Sequence, residues 1–363
     1  MTPRWCSNCL SMSTRPRITF DADGVCNACR WSVRKSSLRW DVRSDQLTEL
    51  LDRHRRHGGT FDCIVPVSGG KDGSYVAHSL RQRGMNPLCV TVTPPLPLAL
   101  GDRNLRSFVE AGFNHISVNV AYEAMRTLNR HGLTEMGFPY YGWLIAIMSA
   151  VIRVAKAFDV GLIFYGEDGE VEYGGSEETA RSPVYGVDYM KRVYLEGGHA
   201  RVLAASGLQS RDLTWFQFPE AEGLDITHWS YFEPWDPYRN YLVAKEHCGL
   251  AEAAESNAGT FTNFAQNDQA LYALHVYIMY LKFGFGRANQ DACIEIRRGA
   301  LTRAQALELV RLYDGHYPME FEDLYLDYYR MSREDFHAAV GKWANRELFE
   351  HVGGRWVPRF EVV

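Results

Sequence analysis

The chain has 363 residues, of which 46% are hydrophobic and 23% are charged, and its formal net charge is −5. This composition is typical of a globular protein, and the length suggests about two domains of ~150 residues each. The acidic balance excludes a strong overall attraction to nucleic acid or to an anionic membrane. The two most apolar stretches, 143–152 and 270–281, are shorter than the ~20 residues that span a bilayer, and arginines interrupt any apolar signal segment at the N-terminus. We therefore predict a cytoplasmic protein without membrane insertion.

Four of the eight cysteines lie in the first thirty residues, as two C-x2-C pairs with sixteen residues between them. This spacing is typical of a zinc ribbon, in which four thiolates form a closed tetrahedral site. Two disulfides or an iron–sulfur cluster are the alternatives. We predict a ribbon domain at residues 1–35 that binds a structural Zn²⁺ through Cys6, Cys9, Cys26 and Cys29.

Helical and strand-like patterns alternate after the ribbon. Short strands separated by helices predict right-handed βαβ units, and therefore an α/β domain with a parallel sheet at residues 36–250. Pro66 is expected where the first strand ends, because proline cannot donate to the hydrogen-bond ladder. The predicted strands are 61–67, 87–93, 115–118 and 161–165, and the predicted helices include 45–56, 72–83 and 103–111.

The region 251–363 is predicted to be helical and to complete the substrate site. A buried helix is expected at 267–283, and capping patterns predict helix starts at Thr302 and Ser332. The two units that follow these caps resemble a DNA-binding helix pair, but the second carries too little clustered positive charge for that role.

Three loops at predicted strand ends suggest one active site, because ligands of parallel sheets bind beyond the carboxyl ends of the strands. The first loop lies in the stretch DCIVPVSGGKDGSYVAH, where two glycines separate a strand from a helix start and allow backbone N–H groups to approach a phosphate. The stretch lacks both G-x-x-x-x-G-K-[ST] and G-x-G-x-x-G. The three loops are Ser68-Gly69-Gly70, Thr93-Pro94-Pro95 and Gly166-Glu167-Asp168.

The first loop resembles the PP-loop of ATP pyrophosphatases, whose signature is S-G-G-x-D-S. This chain departs from the signature at Gly73, where the family has serine, and places Ser74 one position later. An ordinary glycine turn into a helix is the alternative. The resemblance implies an adenine nucleotide alpha-hydrolase-like fold that adenylates a substrate and releases pyrophosphate.

Longer segments resemble the N-acetyl sugar amidotransferase family, which acts in the synthesis of O-antigen and related surface glycans. The resemblance implies that an acetamido group on a nucleotide-linked sugar becomes an acetamidino group through an O-adenylyl imidate, with ATP and Mg²⁺ as cofactors. The segments are RWCSNCLSMSTRPRITFDADGVCNAC, VTVTPPLP, YGEDGEVEYGG, DITHWSYFEPWDPYRNYLVAK and YLKFGFGRANQDACIEIRRGALTRAQALELV.

The resemblance and the residue types together predict the site. Catalytic roles are expected for Asp72, Lys71 and Glu167, with Asp72 also a ligand for Mg²⁺ because hard cations prefer carboxylate oxygen. ATP is expected to contact Ser68, Gly69, Gly70, Lys71, Asp72, Ser74, Thr91 and Thr93. The substrate and its phosphates are expected to contact Glu167, Asp168, His228, Lys282 and Arg287.

Ammonia is expected from a separate glutaminase. The chain has no Gly-x-Cys-x-Gly elbow, and Thr2 occupies the position where an N-terminal-nucleophile glutaminase has cysteine. The main alternative is a PP-loop tRNA thiolase, which should show a basic RNA-binding surface and further cysteine pairs. A non-enzymatic zinc-ribbon scaffold that binds ATP as a structural or regulatory ligand is a third interpretation.

Overall fold

A computed structural model describes residues 3–56 and 60–363, so Thr2 lies outside the described residues. Its centre is a five-stranded sheet in the order β3-β2-β1-β4-β5, and every neighbouring pair is parallel. The parallel α/β sheet predicted from the sequence is confirmed. The strands are β1 Cys63–Pro66, β2 Pro87–Val92, β3 Asn114–Val118, β4 Leu162–Tyr165 and β5 Asp225–His228.

The fifth strand was not predicted. Its four residues, Asp-Ile-Thr-His, carry one aliphatic side chain, so they give neither an apolar run nor a clear alternation. Pairing with β4 recruits them into the sheet, with Ile226 opposite Ile163. Pro66 ends β1, as predicted.

Helices cover both faces of the sheet and form most of the C-terminal region, as predicted. The first nine helices are α1 Asn27–Ser36, α2 Trp40–His54, α3 Lys71–Gln82, α4 Ala99–Glu110, α5 Tyr122–Met136, α6 Tyr141–Ala157, α7 Gly169–Tyr173, α8 Val187–Tyr189 and α9 His199–Ala205. The remaining helices are α10 Pro237–Cys248, α11 Leu271–Phe283, α12 Arg287–Arg297, α13 Arg303–Tyr313, α14 Glu322–Tyr329 and α15 Arg333–Gly341. Shorter turns are the 3₁₀ segments Glu178–Arg181, Trp229–Tyr231 and Met319–Phe321 and the π-helical turn Met190–Tyr194. None of the helices in the described ranges combines the length and the hydropathy of a membrane span.

Alternate residues of β1 contribute to two different cores. Ile64 belongs to a large apolar cluster that includes residues of α5, α6, α11 and α15. Cys63 and Val65 belong to a second cluster with residues of α2, α3 and α10. Because successive side chains of a strand point to opposite faces, the sheet separates two helical layers. Cys63 and Cys89 are fully buried core residues.

Two capping predictions are confirmed in the C-terminal region. Thr302 and Gln305 form a reciprocal capping box at the start of α13, and Ser332 accepts a hydrogen bond from the Asp335 amide at the start of α15. The region also contains an antiparallel hairpin that was not predicted, formed by β6 Phe349–Val352 and β7 Arg355–Pro358.

A long irregular segment, 249–270, joins the α/β layer to the C-terminal helices. Helix α11 begins at Leu271, four residues later than predicted, because the preceding residues pair with the loop after β2. The Leu98 amide donates to the Asp268 carbonyl at 3.1 Å, and the Ala270 amide donates to the Leu96 carbonyl at 2.9 Å. These bonds fix the segment above the carboxyl edge of the sheet.

The four N-terminal cysteines converge on one point. Their Sγ atoms all lie within 4.8 Å of one another, with 3.8 Å between Cys6 and Cys29 and 3.7 Å between Cys9 and Cys26. Four thiolates at about 2.3 Å from a tetrahedral zinc ion would be separated by about 3.8 Å. A disulfide needs a separation of about 2.05 Å, so the two-disulfide alternative does not fit. The donor set and its geometry therefore fit a single Zn²⁺.

The ribbon is held against two parts of the chain. Asn289 of α12 donates to the Leu10 carbonyl at 2.9 Å, and the Arg297 guanidinium lies 3.8 Å from the Cys9 Sγ atom. On the other side, Trp31 Nε1 donates to Glu172 of α7 at 3.0 Å. A metal ion held by the four cysteines would therefore stabilise contacts with both α7 and α12.

Replacing Cys26 by Ser should release the metal and lower the melting temperature. Cys26 is the N-cap of α1, where its sulfur accepts from the Cys29 amide, and serine is a good N-cap. The helix cap therefore survives the change while one of four thiolates is lost. Metal content by mass spectrometry, with thermal unfolding, tests this. Cys248→Ser is the matched control, because its buried thiol lies in a different core from the four cysteines; retention of tight zinc by Cys26→Ser would contradict the ribbon assignment.

Replacing Gly73 by Ser, which restores the PP-loop signature, should destabilise this protein by about 1–3 kcal/mol. A Cβ atom at position 73 would lie 2.8 Å from the Pro66 carbonyl oxygen and 3.1 Å from the Val67 Cα atom. Urea unfolding of Gly73→Ser and Gly186→Ser measures the difference, because position 186 has open space around it. Equal stabilities of the two variants would contradict the close packing of α3 on β1.

Candidate active site

Two adjoining cavities lie at the carboxyl edge of the sheet, where the chain leaves β1 and β4 and the strand order reverses. Such a reversal is the usual ligand site of an open parallel sheet. The larger cavity has a volume of about 390 Å³ and lies between the first loop and the C-terminal region. The smaller has about 110 Å³ and extends toward the end of β4. Both are lined by Lys71, Asp72, Phe264, Ala265 and Arg287.

The loop Ser68-Gly69-Gly70 forms one border of the larger cavity and leads directly into α3. Gly69 has a φ of +79°, and a Cβ atom there would lie 2.4 Å from the Leu105 amide nitrogen, so this position requires glycine. Gly70 is the N-cap of α3, and no side chain caps the helix. The first-turn N–H groups therefore remain available for an anion, which the helix dipole also favours.

Lys71 and Asp72 place a cation and an anion at the start of α3. Their side chains form an ion pair, and Asn240 of α10 donates to the Asp72 carboxylate at 3.3 Å. The Lys71 side chain is 11% exposed and that of Asp72 is 38% exposed. A buried ammonium can neutralise phosphate oxygens, while the more exposed carboxylate has an orientation set by Asn240.

Glu167 lies just after β4 and lines the smaller cavity. Its carboxylate accepts a hydrogen bond from the Tyr173 hydroxyl at 3.1 Å. Burial raises the pKa of Glu167 to about 7, with further contributions from the negative charges of Asp72 and Glu172, while nearby cations oppose the rise. Near neutral pH the group can therefore both accept and release a proton.

Arg287 is the contribution of the C-terminal region to both cavities. It is the first residue of α12, and its Nε atom donates to the Asp291 carboxylate at 2.8 Å. The pair holds a guanidinium with a 26% exposed side chain opposite Lys71 and Asp72. Lys71 of the α/β layer and Arg287 of the C-terminal region thus line the same two cavities.

Three predicted ATP contacts, Ser74, Thr91 and Thr93, do not line either cavity. Ser74 lies inside α3 and is 1% exposed. Thr91 donates its hydroxyl hydrogen to the Val67 carbonyl at 2.6 Å, and Thr93 donates to the Asn119 side chain at 2.7 Å.

Asp168 and His228 lie behind the smaller cavity and form a separate buried cluster. Asp168 caps α7 by accepting from the Glu170 amide at 3.2 Å, and the Thr179 hydroxyl also donates to it. His228 stacks on Tyr185 at 4.6 Å, and burial lowers its pKa. These contacts hold the end of β4 against β5.

Lys282 lies on α11, away from both cavities. Its ammonium donates to the Met136 carbonyl at 3.0 Å and lies 5.3 Å from the ring centroid of Trp343. The structure therefore brings together Ser68, Gly69, Gly70, Lys71, Asp72, Glu167 and Arg287 from the predicted set.

The sequence interpretation missed polar residues of the C-terminal region that line the larger cavity. Asp268 and His275 do so, and burial raises the pKa of Asp268 to about 7. His275 lies within the apolar helix α11, where nothing in the local sequence singles it out. The available signal was the run Gln266-Asn267-Asp268-Gln269, which places four polar residues directly before a buried helix.

Comparison with known proteins bears on the C-terminal region. Residues 258–360 match the family model of the LPS biosynthesis protein WbpG-like, C-terminal domain. An uncharacterized protein of Methanocaldococcus jannaschii, MJ1599, is 30% identical over 89 residues, which are 24% of this chain and 32% of that protein. The chain thus aligns with about a third of the length of this relative.

Among solved structures, one similar chain is in the crystal structure of a predicted subunit of tRNA methyltransferase from Methanocaldococcus jannaschii. The alignment covers 60% of the present chain and 86% of the methyltransferase subunit. Its sequence identity is 14% and its TM-score is 0.28, which is too low to bear on function. The match over 258–360 includes Arg287, Asp268 and His275 of the larger cavity. Over residues 258–360, the chain is thus similar to the C-terminal domain of WbpG-like LPS biosynthesis proteins.

Proposed function

We propose that the protein is an ATP-dependent amidotransferase that converts the acetamido group of a nucleotide-linked sugar into an acetamidino group during surface-glycan synthesis. The observation that carries this proposal is the convergence of Lys71 and Asp72, at the start of α3, with Arg287 of the WbpG-like domain on two adjoining cavities. An anion-binding helix start and two cations fit the phosphates of ATP.

The carbonyl carbon of the acetamido group is a poor electrophile toward ammonia, so the reaction must first activate it. The amide oxygen attacks the α-phosphorus of ATP, pyrophosphate leaves, and an O-adenylyl imidate forms. Ammonia then attacks the imidate carbon, and AMP leaves with the former amide oxygen. The amide nitrogen releases its proton when the imidate forms. Ammonia then loses one proton to a base, and its nitrogen stays in the amidine as an NH₂ group. In such a sequence the protein mainly positions the groups and stabilises the charge on phosphate.

The residues that line both cavities would each have a separate role in this reaction. The free N–H groups at the start of α3 and the Lys71 ammonium would hold the leaving pyrophosphate. Arg287 would neutralise phosphate charge from the opposite side. The Asp72 carboxylate, oriented by Asn240, would hold Mg²⁺, a cation that bridges phosphate oxygens. Within the described residues only the four cysteines cluster as three or more metal-ligating groups, so most ligands of Mg²⁺ would come from phosphate and water.

Glu167 would act on ammonia in the smaller cavity. The cavity, at about 110 Å³, suits the acetamido group and ammonia rather than a whole nucleotide. A carboxyl group with a pKa of about 7 can remove a proton from the attacking nitrogen near neutral pH. A separate glutaminase would supply the ammonia.

A PP-loop tRNA thiolase is the second candidate, and two observations weigh against it. The net charge is −5, and all eight cysteines are buried, so no exposed thiol among the described residues is available to carry sulfur.

The decisive experiment supplies ATP, ammonium chloride and a panel of UDP-linked, CMP-linked and free N-acetyl sugars. AMP and pyrophosphate are measured together with the mass of the sugar product. AMP that forms only with one sugar, and a product in which NH has replaced O, would support the proposal. AMP that forms only with transfer RNA and a sulfur donor would favour the thiolase.

Replacing Asp72 by Asn should lower sugar-dependent AMP formation by on the order of 10²-fold or more, because a charge at the phosphates is lost. Asn keeps the side-chain volume, so the fold and the bound zinc should persist. Asp45→Asn, an exposed acid on α2, is the matched control and should keep full activity. Near-normal turnover of Asp72→Asn would contradict the role of Asp72 in holding Mg²⁺ at the phosphates.

Replacing Glu167 by Gln should change the pH dependence of stability. The folded-state pKa of about 7 lies above the ordinary value of 4.5, so Glu167 contributes stability that is fully present below pH 4.5 and is lost as the pH rises through about 7. The glutamine side chain does not titrate, so the variant does not lose stability over this pH interval. Its free energy of unfolding relative to wild type should therefore rise over that interval in urea titrations.

The exposed Glu255→Gln variant serves as the control for this titration. Parallel stability curves for Glu167→Gln and wild type would show that Glu167 titrates normally, and the proton-transfer role would lose its support.

A further inference from the structure

A cleft lined by basic side chains lies between α5 and the end of α14. Its volume is about 360 Å³, and none of the described residues that line it lines either cavity of the candidate active site. No carboxylate is among those described residues. We call this space the basic cleft, and its lining residues are Arg126, Thr127, Arg130 and His131 of α5 with Arg330 at the end of α14.

The four residues of α5 share one side of the helix. They occupy positions i, i+1, i+4 and i+5, which lie within an arc of about 140° in an α-helix. The whole chain has a net charge of −5, so this local excess of positive charge departs from the overall composition. The excess is therefore a property of this surface and needs its own explanation.

Glu123 holds two of the arginines in place. Its carboxylate forms ion pairs with Arg126, whose side chain is 11% exposed, and with Arg330, at 3.1 Å. Each arginine uses only its Nη2 atom for these bonds. The other guanidinium N–H groups have no hydrogen-bond partner within the described part of the chain, so both arginines keep donors for a ligand.

The remaining basic groups of the cleft are unpaired. The side chains of Arg130 and His131 form no hydrogen bond or ion pair with any described residue. Three guanidinium groups against the single carboxylate of Glu123 leave an excess of two positive charges. A phosphate monoester carries about −1.5 to −2 charges at pH 7, so its charge balances this excess.

Arg330 has a backbone conformation that usually requires glycine. It is the C-cap of α14, and its φ is +50°. Within the described ranges, the other helices that end in a left-handed C-cap have glycine there, at positions 137, 174, 249 and 284. An arginine at such a position has a backbone cost that glycine avoids, so its presence indicates a use for the guanidinium group.

We propose that the basic cleft binds the phosphate group of a small-molecule phosphate monoester. Guanidinium groups bind phosphate oxygens through paired N–H donors, and this cleft offers three such groups. Its volume falls in the range of ~300–1,000 Å³ that is usual for small-molecule sites, which favours a small ligand over an extended membrane surface. The site is separate from the phosphate loop and does not depend on the proposed amidotransferase reaction.

A bound phosphate would join α5 to α14 more firmly. Asn129 of α5 donates to the Tyr328 hydroxyl of α14 at 2.8 Å, so the two helices are already in contact. The Tyr329 hydroxyl donates to the Pro139 carbonyl at 2.5 Å, next to Tyr140, which lines the larger cavity. Because the ligand would bind only the folded protein, it should also raise the melting temperature.

The test measures the binding of glucose 6-phosphate by calorimetry, for the full chain and for Arg130→Gln and Arg330→Gly. Arg330→Gly removes a guanidinium group while it relieves the left-handed backbone, so a loss of binding would not reflect unfolding. Each variant should weaken binding by about tenfold, as expected for the loss of a hydrogen bond to a charged group. Arg211→Gln, with a side chain that is 80% exposed in the wild type, is the matched control outside the cleft and should bind as the wild type does.

Lys71→Gln separates this site from the phosphate loop at the start of α3, and it should keep the affinity for glucose 6-phosphate. A loss of binding in Lys71→Gln with none in the two cleft variants would place the ligand on that loop and overturn the proposal. Undetectable binding by the wild type would also overturn it, as would an equal loss in Arg211→Gln.

Vesicles that contain phosphatidic acid present the same phosphate monoester on a lipid, and vesicles of phosphatidylcholine alone are their control. Binding to the phosphatidic acid vesicles without binding of glucose 6-phosphate would assign the cleft to a membrane surface and overturn the small-molecule ligand. None of these measurements requires ATP turnover, so failure of the proposed reaction would leave this inference standing.

Discussion

The close packing of the first turn of α3 against β1 and α4 is the constraint on which the rest of the site depends. Gly69 lies against the backbone of α4, and Gly73 lies against the Pro66 carbonyl, so neither position has room for a side chain. This contact holds the free N–H groups of α3 at the carboxyl edge of the sheet. It also sets the place of Lys71 and Asp72, around which both cavities are arranged.

Three regions of the chain meet at this edge. The α/β layer supplies the loop and Glu167, and the C-terminal region supplies Arg287, Asp268 and His275. The cysteine ribbon touches neither cavity, yet it contacts α7, which follows Glu167, and α12, which begins with Arg287. A metal ion in the ribbon would therefore stabilise the relative position of two groups that line the smaller cavity.

The elements that were predicted correctly are those with strong local signals. Apolar runs between helical segments identified four of the five strands of the sheet, and the paired cysteines and the capping patterns identified the ribbon and two helix starts. Strand β5 has one aliphatic residue in four, and the β6–β7 hairpin is short, so both depend on pairing with a distant or neighbouring strand. The segment 249–270 has no period of its own and takes its path from bonds to the loop after β2.

The sequence by itself determined the glycine loop before α3, the thiolate set and the parallel sheet, because each depends on residue type and spacing over a few positions. The tertiary structure decided which polar residues share a cavity. It placed Glu167 and Arg287 beside the loop and left Asp168, His228 and Lys282 in internal contacts, although all five had similar local signals. It also brought Asp268 and His275 to the larger cavity. Burial and side-chain direction arise from contacts between residues far apart in the chain, and no local pattern records them.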